Sequence, residues 1–172
     1  LWRKRKMLND TFTSTGSKFF THQEAMTKLR NGWGQPITTH VMLTDVCNHK
    51  CAFCSVQHRQ GDSLDYGDVM KYLDILLGHG LRSVILSGGG NPILYKCKRS
   101  GMDFNDVVHQ IHLKGLEIGL ITNGMPLRNW NDMEGDGGNG SRKSWKAVWP
   151  ETLDKLTWIR ISMSGLDHEE NE

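Results

Sequence analysis

Thr39-His40-Val41-Met42-Leu43-Thr44-Asp45-Val46-Cys47-Asn48-His49-Lys50-Cys51-Ala52-Phe53-Cys54 sets an apolar, β-branched run directly before a C-x3-C-x2-C cluster. Thr39 to Thr44 predicts a strand, and the cysteines then occupy the loop at its carboxyl end. Three thiolates this close in sequence can ligate three irons of a [4Fe–4S] cube. The fourth iron is then left without a protein ligand from the motif, whereas iron–sulfur carriers commonly fill all four positions with cysteine. On the cysteines alone a zinc site is a second reading, with His40, His49 or His58 completing the set. The spacing is unlike that of most zinc knuckles, and no second pair follows. A structural or chance grouping is the third. Clustered cysteines and the lack of a signal-peptide pattern predict free thiols in a reducing, cytoplasmic setting.

Outward from this stretch, strands and helices alternate. Asp65 predicts an N-cap for a helix carrying Val69, Leu73, Leu76 and Leu77 on one face, ended by Gly78 and Gly80. Ser83 to Ser87 reads as a second strand running into Gly88-Gly89-Gly90-Asn91-Pro92. A second helix begins near Asp103, with Phe104, Val107, Val108 and Ile111 facing inward and Gly115 stopping it. Glu117 to Thr122 reads as the third strand and Leu156 to Met163 as the fourth. Strands recurring every roughly 35–45 residues with helices between them predict right-handed βαβ units and a parallel sheet. The fold class is therefore α/β, with about four βα units fitting either an open doubly wound sheet or part of a (β/α) barrel.

Residues 1–36 form a polar extension with a short helix around His22 to Arg30, and 37–172 form the core. Arg128 to Pro150 is rich in Gly, Asn and Asp yet carries Trp130, Trp145 and Trp149, which reads as a substrate lid or a disordered insertion. The chain opens on Leu1 rather than a methionine. Asp167 and Glu170 make a capping-box pattern with only Asn171 and Glu172 after it, so the sequence reads as a fragment truncated after strand four. A net charge of +2 over 172 residues is too small to imply a nucleic-acid partner, and the basic run Arg3 to Lys6 reads as a solvated terminus. No apolar run approaches the length of a membrane span.

Every unusual element falls at the carboxyl end of a predicted strand, where parallel α/β proteins bind ligands. The cysteines follow strand one, the glycine run strand two, Thr122-Asn123-Gly124 strand three, and Ser162 and Ser164 strand four. Three successive glycines let a backbone approach a ligand with no Cβ in the way, and Pro92 biases Asn91 toward an extended conformation. The run lacks the Lys-Ser/Thr of a Walker loop and the spacing of a dinucleotide fingerprint. Cys97 stands alone and reads as a buried core cysteine.

Cys47-Asn48-His49-Lys50-Cys51-Ala52-Phe53-Cys54 resembles the cluster motif of the radical S-adenosylmethionine superfamily, with an aromatic residue just before its third cysteine. Ser87 to Pro92 resembles that family's Gly-Gly-Glu-Pro segment, and Ile159-Arg160-Ile161-Ser162 its fourth strand. The resemblance spans roughly residues 37–166 and implies a partial (β/α) barrel. It further implies that Cys47, Cys51 and Cys54 ligate a [4Fe–4S] cluster whose open iron is chelated by S-adenosylmethionine. Phe53 would lie beside the adenine, or else pack near the cluster. Gly89, Gly90 and Asn91 would line the methionine amino group, and His49 would flank the cofactor or sit exposed in its loop. Ser162 would reach the ribose or carboxylate, or serve as a satisfied barrel serine. The implied activity is reductive cleavage of S-adenosylmethionine to a 5′-deoxyadenosyl radical, which takes hydrogen from a substrate the sequence does not identify. No side chain is assigned as a catalytic acid or base. An electron donor such as flavodoxin or ferredoxin is an implied partner. The chain departs from the family at Asn91, where a glutamate is usual, and at Ser164, where an acidic residue is common. A non-catalytic zinc- or cluster-binding module and an inactive truncated product are the competing readings.

Overall fold

A computed structural model of the chain describes residues 22–127 and 148–162. The basic run at Arg3 to Lys6, Trp130 and Trp145 of the insertion, Met163, Ser164 and the Asp167–Glu170 capping pattern lie outside these residues. The described residues form a parallel sheet of β1 (Thr38–Val41), β2 (Ser83–Leu86), β3 (Glu117–Thr122) and β4 (Trp158–Ile161), in the order β1-β2-β3-β4. Helices α1 (Gln23–Arg30), α2 (Tyr66–Gly78), α3 (Phe104–Leu113) and the single turn α4 (Pro150–Leu153) accompany it. Sequential order with no reversal means that each strand is added on the same side of the last. A doubly wound sheet would need a switch point, so the winding is that of a partial (β/α) barrel.

Apolar periodicity accounts for the packing. Val69 and Leu73 of α2, and Phe104, Val107, Val108 and Ile111 of α3, join Val41, Val84, Leu86, Ile118 and Leu120 in one core. The helices start where short polar side chains cap their free N–H groups: Asp65 accepts from Gly67 and Asp68, and Asp103 with Asp106 forms a reciprocal capping box. Leu77, expected on the inward face of α2, is exposed because it lies at the rim of the Val69–Leu73–Leu76 stripe.

Three strands are shorter than the sequence suggests, β2 by the single residue Ser87. β1 stops at Val41 because Leu43 and Asp45 turn to a new partner: Leu64 N–H donates to Leu43 O at 2.9 Å and Asp45 N–H to Asp62 O at 3.0 Å. In β4 the hydrogen-bonded strand is Trp158–Ile161, while Leu156 is buried ahead of it. Ile159 and Ile161 of this strand are exposed, unlike the fully buried β2.

Candidate cofactor site at the carboxyl edge of the sheet

The loop after β1 is closed at its base by an antiparallel neck. Thr44 bridges Ser63, its hydroxyl donating to Asp62 O at 2.8 Å and meeting Ser63 Oγ at 2.9 Å. The Asp45 carboxylate accepts from the N–H groups of Gln60 at 2.8 Å and Asp62 at 2.6 Å. All three motif cysteines lie above this neck, partly buried and free of disulfides. Cys54 N–H donates to Cys51 O at 3.0 Å, which makes the second half of the motif a tight turn. Arg59 reaches back across the loop, donating from Nη1 to His49 O at 2.8 Å and from Nη2 to Cys54 Sγ at 2.9 Å.

The glycine segment is zipped onto the entry to this loop. Gly90 N–H donates to Thr44 O and Asn91 N–H to Val46 O, each at 2.8 Å. A Cβ on Gly90 would stand 1.9 Å from Val46 O, and one on Gly89 2.7 Å from Thr44 O. The sequence suggested that these glycines admit a ligand; here the close neighbour is the protein's own backbone.

Asn91 is buried, at 2% exposure, and its carboxamide is fully engaged. Oδ1 accepts from Thr122 Oγ1 at 2.9 Å and Ile93 N–H at 3.3 Å. Nδ2 donates to Asn123 Oδ1 at 2.7 Å and Asn48 Oδ1 at 3.3 Å. Asn123 Nδ2 donates to the same Asn48 oxygen at 3.0 Å. Backbone donors fix these amide orientations, because Ile93 N–H requires an oxygen on Asn91 and Met125 N–H requires one on Asn123.

The remaining expected residues are placed as follows. Phe53 is 73% exposed in the cysteine loop, so it does not pack into the core. His49 is partly buried, with Nε2 3.3 Å from Met125 Sδ. Ser162 is exposed at the end of β4, its N–H donating to Thr122 O at 2.8 Å. The carboxyl edge thus joins the cysteine loop, the glycine segment and the end of β3, with Ser162 beside Thr122. Asn48, Arg59, Asp45 and the side chains of Thr122 and Asn123 take part without having been singled out as site residues. Thr122 and Asn123 carried a signal, since they close a strand; Asn48 and Arg59 carried none that a single sequence reveals.

Among the described residues, no three His, Cys, Asp or Glu side chains are arranged to hold a metal ion. The motif therefore brings three thiols into one loop without gathering them at one point. His40 does not complete a zinc set; its Nδ1 meets Ser87 Oγ at 3.1 Å. The donor chemistry nonetheless suits an iron–sulfur cluster, for the three thiols form no disulfide and are partly accessible. His49 Nδ1 and Arg59 Nε are buried in the same loop without hydrogen-bond partners. Such groups cost about 1–3 kcal/mol each and point to a loop that is completed by a ligand.

The chain is 27% identical over 132 residues to a probable GTP 3′,8-cyclase of Saccharolobus islandicus, covering 74% of this chain and 41% of the relative. It is 29% identical over 87 residues to the S-adenosylmethionine-dependent nucleotide dehydratase of Selenomonas ruminantium, covering 51% of this chain and 30% of the relative. The chain thus spans less than half the length of these curated relatives. The crystal structure of Streptococcus suis SuiB bound to precursor peptide SuiA aligns over 71% of this chain and 27% of its own, at 17% identity and a TM-score of 0.46. The family profile of the radical SAM superfamily matches residues 41–140, which take in the cysteine loop, the glycine segment and the end of β3. Members of this family are enzymes that use a [4Fe–4S] cluster and S-adenosylmethionine, and this chain belongs to the radical SAM superfamily.

Proposed function

We propose that Cys47, Cys51 and Cys54 hold a [4Fe–4S] cluster and that S-adenosylmethionine binds beside it at the carboxyl edge of the sheet. The observation that carries this reading is the backbone zipper joining the cysteine loop to the glycine segment, through Gly90 N–H to Thr44 O and Asn91 N–H to Val46 O. It ties the entry of the cysteine loop to the end of the neighbouring strand. When bound, the cluster and S-adenosylmethionine supply a one-electron reductive cleavage that releases methionine and a 5′-deoxyadenosyl radical, which takes hydrogen from the substrate.

The chain's own part is to bind, orient and shield. Three thiolates supply the cluster ligands, and the Arg59 guanidinium on Cys54 offsets part of their charge. The outward-facing Phe53 ring offers an apolar surface for the adenine. Gly89 and Gly90 keep the rim of the site free of side chains, and Ser162 places a hydroxyl for the ribose or carboxylate. His49 lies between the cysteine loop and Met125, where its ring flanks the cofactor. The electron comes from a donor such as flavodoxin or ferredoxin, and cysteines without disulfides suit a reducing cytoplasm. Among the described residues no helix is long and apolar enough to cross a membrane. Both relatives named above carry nucleotide activities, so nucleotides are the first substrates to assay.

Anaerobic reconstitution tests the proposal. Brown protein that releases 5′-deoxyadenosine on reduction in the presence of S-adenosylmethionine is expected. Colourless protein carrying zinc would overturn it.

A further inference from the structure

Three loops, each from the end of a different strand, contribute one asparagine to a single cluster of amides. Asn48 comes from the loop after β1, Asn91 from the segment after β2, and Asn123 from the end of β3. We propose that Asn91 is a positioning residue: its carboxamide locks the cysteine loop to the ends of β2 and β3 instead of contacting the amino group of S-adenosylmethionine. This rests on the proposed cofactor site and changes the role of one residue within it.

Saturation is the first argument. A primary amide has two N–H donors and an oxygen with two lone pairs, and Asn91 already has two acceptors facing Nδ2 and two donors facing Oδ1. A ligand ammonium would have to displace Thr122 or Ile93 from that oxygen. Burial is the second, since at 2% exposure the side chain lies beneath the surface that a ligand would meet. Chemistry is the third. Asn91 Nδ2 donates to Asn48 Oδ1 and Asn123 Oδ1 beside their donors Asn123 Nδ2 and Met125 N–H, and a carboxylate at position 91 could make neither contact. The amide at this position, where the family resemblance leads one to expect glutamate, therefore makes two contacts across the three loops that a carboxylate would lose. Through Asn48 the lock acts on the residue next to Cys47.

Asn→Asp substitution at the two ends of this contact separates the possibilities, because position 91 donates and position 48 accepts. Hydrogen exchange at the Gly90 and Asn91 amides, bonded to Thr44 O and Val46 O, reports whether the cysteine loop stays zipped. It is measured on the full chain with and without reconstituted cluster, so its outcome does not depend on whether the cluster forms. Asn91→Asp is expected to speed exchange at Gly90 and residue 91 roughly tenfold, the loss of about one hydrogen bond. Asn48→Asp, which keeps its acceptor, is expected to leave the rate as in the wild type, and Asn48→Ala to reproduce the Asn91→Asp effect. The Asn48→Ala and Asn91→Asp effects should not add when combined. In reconstituted protein, S-adenosylmethionine affinity should not rise in Asn91→Asp. Unchanged exchange in Asn91→Asp, or tighter S-adenosylmethionine binding from the new carboxylate, would show that residue 91 faces the ligand and would overturn the proposal. Should Asn91→Asp fail to fold, Asn48→Asp against Asn48→Ala decides alone: equal exchange rates in the two overturn it.

Discussion

The sheet and the cysteine loop are consecutive in sequence but differ in what holds them. Leu86, Ile118 and Leu120 are completely screened from water and pack against α2 and α3. Cys47, Cys51 and Cys54 are only partly buried, and Phe53 between them is exposed. Hydrophobic burial fixes the first region; a handful of hydrogen bonds at a neck, a zipper and an arginine fixes the second. The motif thiols thus sit on the part of the molecule held by hydrogen bonds and not by burial.

The contrast breaks most clearly under truncation of side chains. Leu120→Ala should cost about 2–5 kcal/mol in chemical denaturation, because β3 is covered and the void cannot collapse freely. Phe53→Ala removes a larger side chain yet should change stability by no more than about 0.5 kcal/mol, the usual range for exposed sites. Equal losses would mean that the cysteine loop is part of the core.

Gly90→Ala tests the seam between the regions. The added Cβ meets Val46 O, a backbone atom, so one of the two segments must shift. Overpacking of this kind costs about 1–3 kcal/mol. The frame is held by burial and the loop by hydrogen bonds, so displacement is expected in the loop, read as faster alkylation of Cys47 with α2 and α3 still protected from hydrogen exchange.

Legibility in the sequence follows the same division. Val69 with Leu73, and Phe104 with Val107, Val108 and Ile111, announce their helices because burial imposes a period on the chain. Glu117 to Thr122 is read with its observed bounds. The cysteine motif is legible because its spacing is itself the chemistry. What escapes is polar and long-range: the contacts among Asn48, Asn91 and Asn123, which lie 43, 32 and 75 residues apart pairwise and leave no periodic trace. The neck escapes for a related reason. Thr44 looks like the last residue of β1 by composition, and only its partner Ser63, on the far side of the cysteine loop, takes it out of the sheet.

Asp45→Ala should loosen the loop with little effect on the frame. Its carboxylate holds two backbone N–H groups across the neck, at Gln60 and Asp62, and such bonds to a charged acceptor are worth about 1.5–3 kcal/mol when buried and less when exposed, as here. Exchange at Gln60 and Asp62 should accelerate roughly tenfold while the global unfolding midpoint falls by less than that of Leu120→Ala. A global loss as large as that of Leu120→Ala would erase the distinction between the regions.

The smallest effect expected belongs to Cys97, the cysteine on the frame side of the division. It is 2% exposed, and hydrogen bonds from Ser100 and from the Tyr66 N–H lower its thiol from the ordinary 9.0 to about 7. Burial pushes the phenols of Tyr66 and Tyr95 upward, so both stay neutral through this range, while the nearby Asp65 carboxylate is paired with Arg99 at 3.4 Å. An acidic group with a depressed folded pKa stabilises the fold above its unfolded value and loses that contribution as pH falls through the folded one. The contribution from Cys97 is therefore full above about pH 9 and lost below about pH 7. Under reducing conditions the wild type should gain on the order of 1 kcal/mol over Cys97→Ala between pH 7 and pH 9, read from urea midpoints. A constant gap across that interval would mean that the thiol stays protonated, donating to Asp65 Oδ2 at 3.7 Å, and that the frame carries no ionised sulfur at all.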